Sequence, residues 1–224
     1  MAFSGTFSAF SVSAGSFLKT LLRNLALSAA DAILMRLFRL CVGKGFNLNM
    51  KVILNSEQIE RILEDQARRI ISETPPKVEI AVIGIRSRGE ILAQRLAEKL
   101  SKNRKKEIPC GALDITLYRD DLNSPRAGAG PQVRTTEIGF DVDGKLIILY
   151  DDVLYTGRST RAALDALIDL GRPKAIKLAV LVERSGREFP IQADYVGHKA
   201  DVKPGKSVQV NLVESDGKDQ VIIE

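Results

Sequence analysis

The sequence predicts an α/β protein with a central, mainly parallel sheet that is flanked by helices and one long loop. Short, continuous apolar runs alternate with amphipathic segments of helical period, which is the pattern of buried strands joined by helices. Turns rich in Gly and Pro separate these segments. Residues 119–137 contain polar residues, Gly and Pro without a core pattern, and a loop of this length in a compact domain is usually functional or disordered.

The first half of this pattern contains two helices and two strands. Asn55 or Ser56 can cap the first helix, which has apolar residues on one face and is ended by the Pro75-Pro76 pair. A continuous apolar run then forms a buried strand, and a Gly-bounded turn leads into the second helix. The predicted bounds are 55–72 and 90–100 for the helices, and 78–85 and 113–118 for the strands.

The second half starts with a turn at Gly144 and an apolar strand over Leu146–Tyr150. A helix over residues 160–170 stops at Gly171, which Pro173 follows closely, as is common at helix C-termini. The remaining segments are apolar runs typical of strands, so strands and helices alternate to the end of the chain. These strands are predicted at residues 175–182, 195–196, 208–213 and 220–223.

The run LIILYDDVLYTGRSTRA at residues 146–162 carries the strongest functional signal. A strand ends in two adjacent carboxylates, Asp151 and Asp152, and a loop rich in Gly, Ser and Thr then leads into a helix that starts near Arg161. The carboxylates can accept hydrogen bonds from vicinal hydroxyls, while the loop amides, the hydroxyls and the helix dipole can hold a phosphate. This order of groups predicts a site for a sugar phosphate.

Three segments resemble the PyrR family of bacteria, whose members combine regulation of pyrimidine operons with uracil phosphoribosyltransferase activity. They are LDITLYRDDL (113–122), LYDDVLYTGRSTRAALDAL (149–167) and LAVLVERSGREFPIQADYVG (178–197). The resemblance extends from Met50 to the C-terminus. It implies the type I phosphoribosyltransferase fold with a flexible lid loop, and transfer of a phosphoribosyl group from 5-phosphoribosyl 1-pyrophosphate (PRPP) to uracil, giving UMP and pyrophosphate.

The resemblance also implies roles for the residues of this run. Asp151 and Asp152 would bind the ribose hydroxyls as catalytic residues, and Asp152 is a candidate for removing a proton from the base. Gly157 lets the backbone approach the 5-phosphate. Arg158 would also bind the 5-phosphate, and the alternative is that its side chain points outward into solvent. The segment implied to bind PRPP and UMP continues through Val153, Leu154, Tyr155, Thr156, Gly157, Arg158, Ser159 and Thr160.

Two other turns match the family's pyrophosphate site. The turn at Gly84–Gly89 follows a strand and precedes a helix, as in the family. Arg119 opens the predicted lid and is expected to be catalytic through contact with pyrophosphate, with Arg134 as a further candidate. A mobile loop without a ligand role is the alternative for this segment. The matching residues of the first turn are Ser87, Arg88 and Gly89.

The base-binding side of the site follows the strand at residues 175–182. By resemblance, Arg184 and backbone groups around Val196 would read the edge of uracil. This segment is the least family-like part of the site, so a purine or another pyrimidine stays an alternative substrate. The only histidine, His198, is expected on the surface or in a turn rather than as a general base.

The transfer reaction also implies a cation and several partners. The sequence contains no Cys/His cluster that would indicate a zinc site. By resemblance, Mg²⁺ would be held mainly through PRPP. Asp151 or Asp152 would contribute through water rather than by direct ligation. The implied partners are PRPP, uracil, UMP or UTP, and pyrimidine-operon leader mRNA. The family also implies a homodimer or a larger homo-oligomer.

The RNA-binding part of the resemblance is weaker. Glu64 and Asp65 stand where RNA-binding members have Thr and Arg, and carboxylates repel phosphates. Gly186, Gln192 and residues 198–203 also depart from the family. Two hypotheses therefore remain, an enzyme that makes UMP and an RNA-binding regulator with or without activity. Six basic residues can still form an RNA-binding surface: Arg61, Arg68, Arg69, Arg184, Arg187 and Lys199.

The net charge of +5 is concentrated in the first 49 residues, which hold five basic residues and one acidic residue. The rest carries 28 Lys and Arg against 27 Asp and Glu, which differs from a strongly basic nucleic-acid-binding domain. Cys41 and Cys110 do not form a disulfide scaffold, and no apolar stretch approaches the length of a membrane span. We therefore expect a cytoplasmic protein without a membrane segment.

Residues 1–49 lie outside the resemblance and are expected to form an N-terminal extension to a phosphoribosyltransferase domain at 50–224. The extension is rich in Ser, Ala, Phe and Leu, and residues 16–41 can form a basic amphipathic helix, as in transit peptides. Three interpretations are open: a start codon upstream of the true one at Met50, a targeting or membrane-surface segment, or an added structural helix. The first is preferred because the fold pattern begins there.

Overall fold

The computed structural model of the chain describes residues 50–120 and 134–224. The expected N-terminal extension, residues 1–49, lies outside the described residues, as do residues 121–133, which make up most of the predicted lid loop. Within the described ranges, no helix combines the length and the apolar character that crossing a membrane requires.

A five-stranded parallel sheet forms the centre of the described domain, in the order β3-β2-β4-β5-β6. The chain runs outward from β2 to β3 and then crosses back to β4, so the direction of winding reverses between β2 and β4. In open α/β sheets, ligands bind at the carboxyl ends of strands at such a point. The strands are β2 (Ile80–Ile85), β3 (Cys110–Leu113), β4 (Leu146–Leu154), β5 (Ala175–Arg184) and β6 (Tyr195–Ala200).

Helices cover both faces of this sheet, as the apolar strands require. The buried residues of α1 and α2 share one core with the sheet, and those of α3 belong to a second core on its other face. The predicted parallel α/β architecture is therefore confirmed. The helices are α1 (Ser56–Glu73), α2 (Arg88–Arg104), α3 (Arg158–Leu170) and α4, a single turn (Val213–Asp216).

The start of α1 confirms the predicted cap at Asn55. The Asn55 side chain accepts a hydrogen bond from the Gln58 amide at 2.9 Å, and the Gln58 side chain accepts one from the Asn55 amide at 2.9 Å. This reciprocal pair satisfies two amides that the helix leaves without intrahelical acceptors.

A second, antiparallel sheet of three strands joins the two ends of the domain, in the order β1-β8-β7. Its first strand, just before α1, is absent from the prediction, whereas the strand at residues 220–223 is confirmed. α4 lies in the connection between β7 and β8. The strands are β1 (Lys51–Asn55), β7 (Val208–Asn211) and β8 (Gln220–Ile223).

The strand predicted at residues 113–118 is wrong. β3 ends at Leu113, and a 3-10 helix follows over Thr116–Tyr118. The Asp114 carboxylate accepts hydrogen bonds from the Thr116 amide at 3.1 Å and the Thr116 hydroxyl at 2.6 Å. Such a local side-chain bond competes with a strand ladder and favours a turn.

Candidate active site

Asp151 and Asp152 lie at the carboxyl end of β4, the middle strand of the parallel sheet. Asp151 is 7% exposed and Asp152 is half-buried. The Asp152 amide donates to Asp151 Oδ1 at 2.9 Å, and the Val153 amide donates to Asp152 Oδ1 at 2.8 Å. Burial raises the pKa of both carboxyl groups, and the Asp152 charge raises the pKa of Asp151 further. Hydroxyl donors or a cation would stabilise the ionised pair.

The loop after β4 places a helix N-terminus beside these acids. Gly157 precedes α3 with a φ of 93°, a left-handed conformation that favours glycine. A Cβ at Gly157 would lie 3.2 Å from Phe189 Cβ, so the segment across the loop also requires a small residue. Because glycine has no side chain to cap the helix, the first-turn amides of α3 can donate to an anion.

The two predicted phosphate residues at the start of α3 differ in their surroundings. The Thr160 hydroxyl is buried without a hydrogen-bond partner among the described residues, which is costly unless a ligand supplies one. The exposed Arg158 guanidinium instead pairs with Asp120 and with Glu188, whose Oε2 lies 2.8 Å from Arg158 Nε. The half-buried Ser159 lies between them in sequence.

The turn at residues 84–89 lies next to the acidic strand end. A Cβ at Gly89 would lie 2.7 Å from the Tyr150 carbonyl oxygen and 3.3 Å from Asp151 Cα, so the bare glycine permits this close approach. The Arg86-Ser87 peptide bond is cis. Arg88 starts α2, and its positive charge lowers the pKa of Asp152, partly offsetting the effect of burial. The structure therefore brings this predicted turn and the acidic pair together.

Arg119 follows the 3-10 helix and is exposed. The Tyr118 hydroxyl donates to Asp169 on α3 at 2.7 Å, and the Arg161 side chain donates to the Tyr118 carbonyl at 3.3 Å. These bonds fasten the first residues of the predicted lid to α3. The Arg134 amide, at the other end of the loop, donates to Asp114 Oδ2 at 2.6 Å. The lid between them lies outside the described residues.

On the base side, Arg184 is 8% exposed and donates from Nη1 to the Lys206 carbonyl at 2.8 Å. Its guanidinium lies 4.1 Å from the centre of the Tyr155 ring, and the two groups stack. Val196 and His198 lie in β6, paired with Val180 and Val182 of β5, and both are half-buried. His198 is therefore in a strand and not in the turn or on the surface as expected.

The six basic residues expected to form an RNA-binding surface are largely charge-compensated. Arg184 is buried, and Glu64 of the same region pairs with Lys99 at 3.5 Å. Exposed ion pairs contribute little free energy, so phosphate contacts can replace them. The other five basic residues form the pairs Arg61–Glu57 (3.6 Å), Arg68–Asp65, Arg69–Glu73 (3.8 Å), Arg187–Glu183 (2.8 Å) and Lys199–Glu183 (3.8 Å).

Two residues near the site were not predicted. Gln66 of α1 is buried and accepts a hydrogen bond from the Tyr150 hydroxyl at 2.7 Å, while its amide donates to the Val180 carbonyl at 2.9 Å. Asp216 of α4 pairs with Arg88. Each of these hydrogen bonds joins residues more than 80 positions apart in sequence, so no local pattern could have indicated them.

Comparisons with known proteins agree with this geometry. The family model described as "Phosphoribosyl transferase domain" matches residues 49–215. The fold resembles solved structures of a Trypanosoma cruzi hypoxanthine phosphoribosyl transferase (TM-score 0.58, 18% identity, 77% of this chain and 90% of that one) and a Bacillus anthracis hypoxanthine-guanine phosphoribosyltransferase (TM-score 0.57, 19% identity, 78% and 96%). At this identity they show the fold alone, and they confirm the predicted type I phosphoribosyltransferase fold.

Two curated relatives carry the name "Bifunctional protein PyrR". The protein of Deinococcus radiodurans is 52% identical over 169 residues, which are 75% of this chain and 91% of the relative. The protein of Thermus thermophilus is 50% identical over 169 residues, 75% of this chain and 92% of the relative. At this identity and coverage, the chain belongs to the PyrR family of phosphoribosyltransferases.

Proposed function

We propose that residues 50–224 form a uracil phosphoribosyltransferase, which converts uracil and PRPP to UMP and pyrophosphate, in a cytosolic protein that also regulates pyrimidine operons through leader mRNA. The observation that carries this proposal is the buried acidic pair beside an uncapped helix N-terminus, in a chain 52% identical to a bifunctional PyrR protein. A regulator with little activity is less well supported because the transferase segments are complete, and a transferase for another base because relatives at 50–52% identity are named bifunctional PyrR proteins.

The ribose 5-phosphate part of PRPP fits the β4–α3 connection. The ribose hydroxyls donate to Asp151 and Asp152, which stabilises both carboxylates in their ionised form. The 5-phosphate accepts from the first-turn amides of α3 and from the unpartnered Thr160 hydroxyl. These contacts hold C1 of the ribose in a fixed position, and positioning is a major part of catalysis for such a transfer.

The reaction breaks the bond between C1 and the pyrophosphate oxygen and forms a bond between C1 and N1 of uracil, which loses its proton. The ribose carries positive charge at C1 in the transition state, and the adjacent carboxylates stabilise that charge. Asp152 is the half-buried member of the pair and is the candidate acceptor of the uracil proton. Arg88, Ser87, Gly89 and Arg119 bind the departing pyrophosphate.

Mg²⁺ binding fits this site only with the substrate present. No group of three or more His, Cys, Asp or Glu side chains within the described ranges could hold a metal ion. Mg²⁺ commonly uses one or two carboxylates together with substrate phosphates and water, and Asp151 or Asp152 can contribute through water. When bound, the ion neutralises charge on the pyrophosphate.

The base binds beside Tyr155, Arg184 and Val196. Arg184 is held by Tyr155 and by the Lys206 carbonyl, so it forms a fixed wall next to the loop that receives the ribose. Backbone groups of β6 at Val196 lie at the same side of the sheet and read the edge of uracil. The transfer also requires that water, which would otherwise react at C1, is excluded from these groups.

The direct test is UMP formation by purified protein with PRPP, Mg²⁺ and uracil, in parallel with hypoxanthine, guanine and orotate. We expect turnover with uracil alone. Turnover with another base would reassign the substrate, and binding of PRPP by a folded protein without turnover of any base would favour the regulator.

The regulatory half of the proposal rests on PyrR family membership. UMP or UTP tunes the affinity for a pyrimidine-operon leader stem-loop, and the protein acts as a homodimer or larger homo-oligomer. We expect UMP-enhanced, salt-sensitive binding to that stem-loop. Equal binding to an unrelated hairpin of the same length would contradict this half without affecting the enzyme assay.

A further inference from the structure

The segment between β7 and β8 is docked on the outer side of α2 by two arginines. Arg95 donates from Nε to Glu214 Oε1 at 2.9 Å and from Nη1 to Asp219 Oδ2 at 2.9 Å. Glu214 lies in α4 and Asp219 follows it, and Arg95 is mostly buried. α4 is thereby held against the helix whose first turn lies at the active site.

Hydrogen bonds keep the Asp216 side chain of α4 ionised and fixed in position. Its Oδ2 accepts hydrogen bonds from the Leu212 amide at 3.0 Å and from the Ser215 hydroxyl at 2.7 Å. The Arg88 guanidinium donates from Nη2 to Asp216 Oδ1 at 3.0 Å and from Nε to Asp216 Oδ2 at 3.3 Å. The arginine and these donors hold the pKa of Asp216 at about 2.

The geometry of this pair leaves part of Arg88 available. A guanidinium has two edges that can each bind an oxyanion with two parallel hydrogen bonds. Asp216 occupies the edge formed by Nε and Nη2, and the edge formed by Nη1 and Nη2 is not used by Asp216. Arg88 also lies close enough to Asp152 for its charge to influence that carboxyl group.

We infer that Asp216 is a positioning residue for phosphoribosyl transfer: it fixes Arg88 by one guanidinium edge so that the other edge binds the pyrophosphate of PRPP and of the products. This inference rests on the proposed function. Without Asp216, the long Arg88 side chain would lose rotamer freedom on each binding event, which weakens binding.

Asp216→Asn tests this inference in the full-length protein. The new amide can keep its oxygen towards Leu212 and Ser215, which places the NH₂ group against Arg88 Nη2, donor against donor. The variant therefore removes the charge and the hydrogen bond from Arg88 Nη2, leaves at most the weaker bond from Nε, and keeps the α4 turn. Glu214→Gln is the matched control, because it weakens an ion pair of the same segment that involves Arg95 and not Arg88.

The primary measurement is calorimetric binding of magnesium pyrophosphate, which needs no turnover. We expect Asp216→Asn to weaken this binding on the order of ten-fold, the scale of freezing one arginine side chain, and to raise KM for PRPP while leaving KM for uracil unchanged. Glu214→Gln should bind as the wild type does. In an Arg88→Ala background, Asp216→Asn should have no further effect.

Unchanged pyrophosphate affinity in Asp216→Asn would overturn the inference, as would an equal loss in Glu214→Gln or additive losses in the Arg88→Ala background. The proposed function fails separately, if wild-type protein binds magnesium pyrophosphate but forms no UMP from uracil.

Discussion

At the residue scale, Asp152 is the group on which turnover depends most. Asp152→Asn keeps the size of the side chain and removes the charge that stabilises C1 and accepts the base proton. We expect kcat to fall by ~100-fold or more, with a thermal midpoint no lower than that of the wild type, because burial also raises the pKa of Asp152. Glu107→Gln, in an exposed turn, is the control for removing one carboxylate. Full activity in Asp152→Asn would remove this residue from the site.

The burial of Asp151 leads to a separate prediction about the stability of the protein. Burial raises the pKa of Asp151 in the folded protein. The protonated side chain therefore adds to the free energy of unfolding. This contribution is fully present below the ordinary pKa of 3.8 and is lost as the pH rises through the raised pKa. As the pH rises above 3.8, burial of Asp151 therefore costs the ligand-free protein an increasing amount of stability. We expect Asp151→Asn to match the wild type near pH 3 and to be more stable at pH 7 by ~1–3 kcal/mol.

Urea unfolding at the two pH values measures this difference. A variant that is less stable than the wild type at pH 7 would contradict the prediction. The same variant should lose activity, because the charge that destabilises the free protein is the charge that the ribose hydroxyls and Mg²⁺ stabilise.

At the element scale, local chemistry was readable from the sequence and long-range pairing was not. The Asn55 cap and the apolar run of β4 depend on near neighbours, and both were predicted. β4 extends beyond Tyr150 through the acidic pair because β5 continues to pair with it, which apolar content alone does not reveal. β1 was missed because the strand it pairs with in the described part of the chain, β8, lies at the other end of the domain.

The same limit applies to the candidate site. The acidic pair, the α3 loop and the 84–89 turn are each formed by residues that are close together in sequence, so sequence patterns and family resemblance indicated them. Gln66 of α1 bonds to Tyr150 and Asp216 of α4 bonds to Arg88, and only the packed fold brings these partners together.

The approach of α2 to β4 gives a prediction at this scale. A methyl group at Gly89 would meet the Tyr150 carbonyl oxygen at 2.7 Å, so Gly89→Ala should displace the turn from the acidic pair. We expect a loss of ~1–3 kcal/mol in the free energy of unfolding and a higher KM for PRPP. Gly139→Ala is the matched control, because no atom lies within 4 Å of its added Cβ. Equal stability of the two variants would refute the close-packing argument.

At the scale of the whole molecule, charge balance governs RNA binding. The chain from residue 50 onward is nearly neutral, and the basic residues near α1 are paired with acids. Asp65→Arg would reverse one charge and release Arg68. We expect tighter binding to the leader stem-loop and a salt dependence steeper by ~1 in the log–log slope. Glu107→Arg makes the same charge change in the turn after α2, and an equal gain there would indicate a non-specific effect.

The three-stranded sheet has a consequence for synthesis of the protein. Among the described strands, β1 is made first and pairs with β8, which is made last and also pairs with β7. The loop between β7 and β8 carries Asp216. All strands of the parallel sheet and the acidic pair are therefore made before β8, but Arg88 meets its carboxylate partner only once the segment between β7 and β8 has emerged.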